Sequence, residues 1–166
     1  AQQDGGAIDL GSGQSDPNRA PLGKLDGVTD KIDQPLLQAE GIAALPVGES
    51  GLALARPLPV ERLPGFADGL VSVQDPGAQR AAALLDPAPG SRVLDACAAP
   101  GGKTAHLLER ADLDLLALDL KPARCRRVAE NLERLGLQAS ITTADCARLD
   151  TWWDGRPFDA VLADVP

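Results

Sequence analysis

The 166-residue sequence has little of what marks several common function classes. No apolar run reaches the roughly 18 residues that a membrane span needs. No basic-then-apolar leader opens it, so a cytoplasmic protein without a membrane partner is expected. Its three cysteines, Cys97, Cys125 and Cys146, form no C-x-x-C pair. They read as free thiols in a reducing compartment, and no metal site is expected. His106 is the single histidine, and its place in an apolar-periodic segment reads as structural. Basic charge is also scarce: the net charge is −8, and acids outnumber bases in both halves. A nucleic-acid partner is therefore not announced by charge, and a reading of that kind needs other support.

What is present divides into three stretches. Residues 1–35 are rich in Gly, Asp, Gln and Ser and lack periodicity, which predicts a flexible or irregular segment. Residues 36–75 read as a lead-in subdomain. In it, "PLLQAEGI" predicts a short helix starting near Pro35 and ended by Gly41. The proline-punctuated "GLALARPLPVERLPGFADGLVSVQD" predicts short edge strands. Asp75-Pro76 is a helix-start signal, and from there strands and helices alternate. "SRVLDAC", "LDLLALDL", "ASITTADC" and "FDAVLADVP" read as strands. "PGAQRAAALLD", "GKTAHLLERA" and "KPARCRRVAENLERLG" read as helices. Alternation of this kind predicts an α/β fold with a parallel, doubly wound sheet over residues 76–166. A ligand is then expected at the carboxyl ends of the strands, near a reversal of strand order.

The turn "VLDACAAPGGKT", residues 93–104, carries the chemistry. It departs from a P-loop, because Cys97 stands where the first glycine of G-x-x-x-x-G-K-[ST] belongs. It is not a dinucleotide fingerprint, because Gly101 and Gly102 are its only glycines. Small residues before them let a ligand lie close to the backbone. Asp95, Asp119, Asp145 and Asp164 fall at the ends of four successive strands. Asp119 is placed to accept from ribose hydroxyls and Asp145 from an adenine amino group, with Asp164 beside the substrate entrance. Such a set suits an adenosine without phosphate, of which S-adenosylmethionine is the example. Each acid taken singly reads equally well as a cap or turn residue. Arg124, Arg126 and Arg127 read as a solvated helix face, and Cys125 as a core position.

"VSVQDPGAQ", "VLDACAAPGGKT", "LALDL", "NLERLG" and "FDAVLADVP" together resemble the RsmB/Sun/Fmu family of bacterial RNA cytosine-5 methyltransferases. The resemblance covers about residues 36–166 and implies a class I methyltransferase, Rossmann-like sheet, here truncated after the fourth strand. It implies that Cys97, Ala98, Ala99, Pro100, Gly101, Gly102 and Lys103 hold the methionine end of S-adenosylmethionine. Asp119 would bind the ribose and Asp145 the adenine side. Asp164 would be the catalytic carboxylate between cofactor and target cytosine. The implied substrate is small-subunit (16S) ribosomal RNA. In the family a Cys thiolate adds to carbon 6 of cytosine, carbon 5 takes the methyl group, and a second Cys assists release. Both cysteines are expected beyond Pro166, so the chain reads as the cofactor half of the enzyme, without transfer activity of its own. A P-loop-type nucleotide-binding module and a non-catalytic fragment are the alternative readings.

Overall fold

The computed structural model describes residues 7–9, 37–47 and 51–165. The chain divides into two compact units, residues 1–79 and 80–166.

The first unit is built on an antiparallel sheet. Its strands are β1 (Ala7–Asp9), β2 (Ala44–Val47), β3 (Gly51–Leu54) and β4 (Ser72–Gln74), in the order β2-β3-β1-β4. Two sequence expectations change here. Ala7–Asp9, in a segment read as irregular, is an inner strand that pairs Ile8 with both Leu52 and Val73. β3 is likewise an inner strand, although its proline-rich surroundings predicted an edge. Its prolines fall after Leu54, so its own amide groups remain free to pair. Leu37, Leu52, Leu63 and Val71 form the buried cluster of this unit. A helical turn at residues 37–39 leads to Gly41, at φ +70°. The expected helix start at Pro35, the rest of residues 1–35, and Pro166 lie outside the described residues.

Helix α1 (Pro76–Leu85) crosses the division between the units. Asp75 caps it as predicted: its Oδ1 accepts from the Gly77 N–H at 2.7 Å and from the Ala78 N–H at 3.3 Å.

The second unit holds β5 (Arg92–Asp95), α2 (Gly102–Arg110), β6 (Asp114–Asp119), α3 (Pro122–Leu135), β7 (Ser140–Thr143) and β8 (Ala160–Leu162). The four strands are all parallel and lie in the order β7-β6-β5-β8. Each is shorter than its sequence signature, β8 most of all, with 3 residues where the sequence suggests a longer strand. The apolar alternation sets the faces. Val93, Leu115 and Ala117 pack with Ala105 and Leu107 of α2 and Val128 and Leu132 of α3. Leu94, Leu116 and Leu118 point the other way, toward Cys146, Trp152 and Phe158. Burying one such leucine contributes roughly 1.5–3 kcal/mol. Gly136 ends α3 at φ +69°, where the Leu137 N–H closes back on the Leu132 carbonyl at 2.9 Å.

The chain runs outward from β5 through β6 to β7, then returns to place β8 on the other side of β5. Strand order therefore reverses beside β5, and its carboxyl end is where a parallel sheet opens a ligand crevice.

Candidate functional site

The loop after β5 is tied down on both sides. The Ala96 N–H donates to the Leu162 carbonyl at 2.9 Å, and the Ala98 N–H to the Leu118 carbonyl at 2.8 Å. Residues 96–98 thus extend the sheet's pairing alternately toward β8 and β6. The Gly101 N–H then turns back to the Ala98 carbonyl at 2.7 Å. Gly101 has φ +101°, a conformation that only glycine adopts without strain. A Cβ there would lie 3.1 Å from the Val128 Cα. The glycine is required twice, for the turn and for the loop's approach to α3. Gly102 opens α2, and Pro100 is exposed just before the turn.

Asp119 ends β6 and is 3% exposed. Its Oδ2 accepts from the Ala99 N–H at 3.3 Å, and its Oδ1 from the Lys121 N–H at 3.2 Å. Arg124 reaches the same Oδ2 at 3.3 Å and donates to the Ala99 carbonyl at 3.3 Å. The carboxylate is thus fixed to the loop after β5 from across a strand boundary. Arg124 is exposed, as a solvated face requires, and its guanidinium also pairs with this buried acid. Arg126 and Arg127 are exposed, as expected. Arg124 lay beyond sequence reasoning because five residues across a strand-to-helix turn are no recognisable spacing.

Asp95 ends β5 and is 1% exposed. The Thr104 hydroxyl, from α2, donates to its Oδ2 at 2.7 Å. Its Oδ1 is buried without a hydrogen bond. Burial pushes the carboxyl up from its ordinary value, against the Thr104 hydroxyl, the Cys97 N–H and Lys103, which favour the charged form.

The remaining predicted residues separate into two groups. Lys103 and Asp164 come together, with Nζ and Oδ2 2.6 Å apart. They link the start of α2 to the loop beyond β8. Asp145 lies two residues past β7, is exposed, and accepts the Ala147 N–H at 3.0 Å in a turn of its own. The cysteines are free thiols, Cys125 buried and Cys97 and Cys146 half-buried. Burial, and next the neighbouring Cys146, push the Cys97 thiol up from its ordinary value. The buried Cys125 Sγ faces the carbonyls of Asp119 and Thr142 at 3.6 and 3.8 Å. His106 is buried in α2. Among the described residues there is no cluster of metal-binding side chains, and no helix is long and apolar enough to cross a membrane.

Two buried carboxylates, a sheet-anchored loop and a glycine turn stand together at a reversal of strand order, where a parallel sheet opens a ligand crevice. The family model for the 16S rRNA methyltransferase RsmB/F matches residues 82–166. The chain belongs to this family. The ribosomal RNA small subunit methyltransferase B of Xylella fastidiosa is 58% identical over 133 residues, covering 78% of this chain and 31% of that protein. The chain thus spans about a third of the length of the curated relatives it matches. A methyltransferase homologue from Pyrococcus horikoshii has the same fold, with TM-score 0.73 and 26% identity over 98% of this chain and 51% of its own. The NSun6 protein of the same organism, solved with SFG, has TM-score 0.59 and 30% identity, covering 71% of this chain and 32% of its own. The fold is that of the class I S-adenosylmethionine-dependent methyltransferases, as the resemblance implied.

Proposed function

We propose that the protein carrying this chain is an S-adenosylmethionine-dependent methyltransferase acting on carbon 5 of a cytosine in small-subunit ribosomal RNA. Residues 76–166 are the first half of its cofactor domain, residues 36–75 lead into it, and the protein works in the cytoplasm. One observation carries the reading. Asp119, almost wholly buried, closes β6 at the carboxyl end beside the reversal of strand order, and Ala99 of the loop after β5 holds it there. This is where ribose hydroxyls find an acceptor in such folds. The solved NSun6 with SFG, an S-adenosylmethionine analogue, and the names of the bacterial relatives support the same ligand and substrate.

The residues fit the cofactor on two grounds. Asp95 Oδ1 is a buried acceptor in want of a donor, and a Cβ on Gly101 would push the loop off α3. Cys97 to Lys103 would hold the methionine end, Asp119 the ribose and Asp145 the adenine side. When bound, the cofactor supplies an electrophilic methyl group on a sulfonium. Asp164 would face the cytosine, and its bond to Lys103 orients it and balances its charge. The thiolate nucleophile is assigned outside this chain, as the resemblance implies: Cys97 lies in the cofactor turn and Cys125 is buried on α3. The chain by itself would transfer no methyl group.

Calorimetry on the whole protein tests the cofactor assignment. Adenosylhomocysteine binds and Mg-ATP does not; the reverse result would establish a P-loop-type nucleotide module instead. Methyl transfer to small-subunit rRNA, with 5-methylcytosine identified by mass spectrometry, tests the reaction. A methylated base of any other kind would overturn the cytosine assignment.

A further inference from the structure

Cys97 and Cys146 are brought to one place by the loops that follow β5 and β7. Both loops are tied to neighbouring carbonyls at the end of β6. The Ala98 N–H donates to Leu118 at 2.8 Å and the Ala144 N–H to Asp119 at 3.1 Å. Each cysteine stands one or two residues from its tie. Cys146 packs against Leu94, Ala96 and Leu118, and Ala96 directly precedes Cys97. After burial, Cys146 is the strongest influence on the Cys97 thiol, ahead of the Asp119 and Asp95 carboxylates. A thiol that outranks two carboxylates is a near neighbour, since such influence falls with distance. Both thiols are free and half-buried, within reach of a small oxidant. Cys125 differs: it is buried, with its Sγ toward the carbonyls of Asp119 and Thr142.

We propose that Cys97 and Cys146 form a reversible disulfide that shuts the cofactor crevice when peroxide is present. The bond joins the turn assigned to the methionine end to the loop assigned to the adenine side. Its effect on the cofactor rests on the reading above; the bond itself does not. One thiol, as its thiolate, attacks an oxygen of hydrogen peroxide. The O–O bond breaks, the sulfur becomes a sulfenic acid, and hydroxide leaves with the thiol's proton as water. The other thiol attacks that sulfur, the S–O bond breaks, and a second water leaves. Two thiols are oxidised to one disulfide, and the peroxide is reduced to two waters. A dithiol reverses the bond by exchange. In a reducing compartment such a bond is transient, as a switch requires. β5 and β7 flank β6 and so stand two strand spacings apart, about 9.5 Å. A disulfide holds its Cα atoms within about 7 Å, so the bond draws the two loops together and narrows the crevice between them.

Peptide mapping and calorimetry on the whole protein test this. Reduced protein is treated with hydrogen peroxide, its remaining thiols are alkylated, and it is digested without reductant. Linked peptides carrying Cys97 and Cys146 should appear in the mass spectrum, and a dithiol should remove them. Affinity for adenosylhomocysteine should fall about 10-fold or more on oxidation and return on reduction. Cys146→Ser should bind as tightly as the reduced native protein and keep that affinity through peroxide. In a glutathione redox buffer, saturating adenosylhomocysteine should lower the oxidised fraction of the native protein, because the two equilibria are linked. That shift decides should Cys146→Ser not fold. Both cysteines still alkylated after peroxide, or either one paired with a different cysteine, would overturn the bond. A bond that forms while affinity and oxidised fraction stay unchanged would overturn the switch. Reduced protein that does not bind adenosylhomocysteine overturns the cofactor reading and the gating with it, while the peptide map still decides the bond.

Discussion

At the amino end of β5, Arg92 is matched on every side. Its guanidinium donates to Asp154 at 2.9 Å and to the Arg156 carbonyl at 2.7 Å, approaches Asp114 at 3.5 Å, and lies 4.4 Å over the Phe158 ring. Its N–H donates to Asp159 at 2.7 Å. At the carboxyl end of the same strand, three residues away, Asp95 keeps a buried oxygen unfilled. One end of the sheet closes its electrostatics within the chain, and the other leaves them open. A closed network fastens the chain segment before β8 to the sheet. An open one leaves a buried polar atom without a partner, which marks the carboxyl end as the place to test for a ligand.

Gly101→Ala should separate the ends most sharply. The new Cβ meets the Val128 backbone at 3.1 Å, and φ +101° is strained for alanine. Strain and overpacking together should cost about 2–4 kcal/mol of stability. Cofactor affinity should fall with it, because residues 97–103 shift together. Denaturant unfolding and calorimetry on the same preparation measure both, and unchanged affinity would detach the glycine turn from the site. Next in size, Asp119→Asn should lower affinity for adenosylhomocysteine about 10-fold or more, through loss of a charged acceptor. Stability should change less, since the asparagine oxygen still accepts from Ala99 or Lys121. An intact affinity would place the ribose elsewhere.

The open end was largely legible in the sequence and the closed end was not. Asp95, Asp119 and the glycine turn show because each sits at a strand-to-helix junction, where small residues and an acid break an apolar run. Asp145 and Asp164 were placed at strand ends by the same logic, and they stand two residues beyond them. Arg92 leaves no such trace. Asp114 meets it across the β5–β6 pairing, and the partners 62 to 67 residues away meet it because β8 returns beside β5. The same holds for the Lys103–Asp164 pair, brought together across that return. Ala7–Asp9 was unreadable for another reason. Three residues are too few for a period, and their strand is defined by two partners supplied from residues 51–54 and 72–74.

Arg92→Met tests the closed end. It keeps much of the apolar stem and removes the charge, so it should cost about 1–2 kcal/mol, moderated by the exposure of its partners. Affinity for adenosylhomocysteine should stay within about twofold, which is within the scatter of a stability effect that never reaches the site. A larger loss of affinity would mean that the two ends are coupled through β5.

The smallest effects lie in the pH response, where the ends should differ in sign. Asp154 is held well below the usual carboxylate range, first by the Arg156 N–H and then by its guanidinium. A lowered folded value means stability present above the unfolded value and lost as pH falls through the folded one. Asp154→Asn should therefore be less stable than the native protein at pH 7, with the gap closing in acid. Asp95 is displaced upward by burial. Its contribution is intact below the unfolded value of about 3.9 and declines as pH rises through the folded one. Asp95→Asn, which resembles the protonated acid, should gain on the native protein as pH rises from about 4. Denaturant midpoints for the two variants between about pH 3 and 7 should diverge in opposite directions.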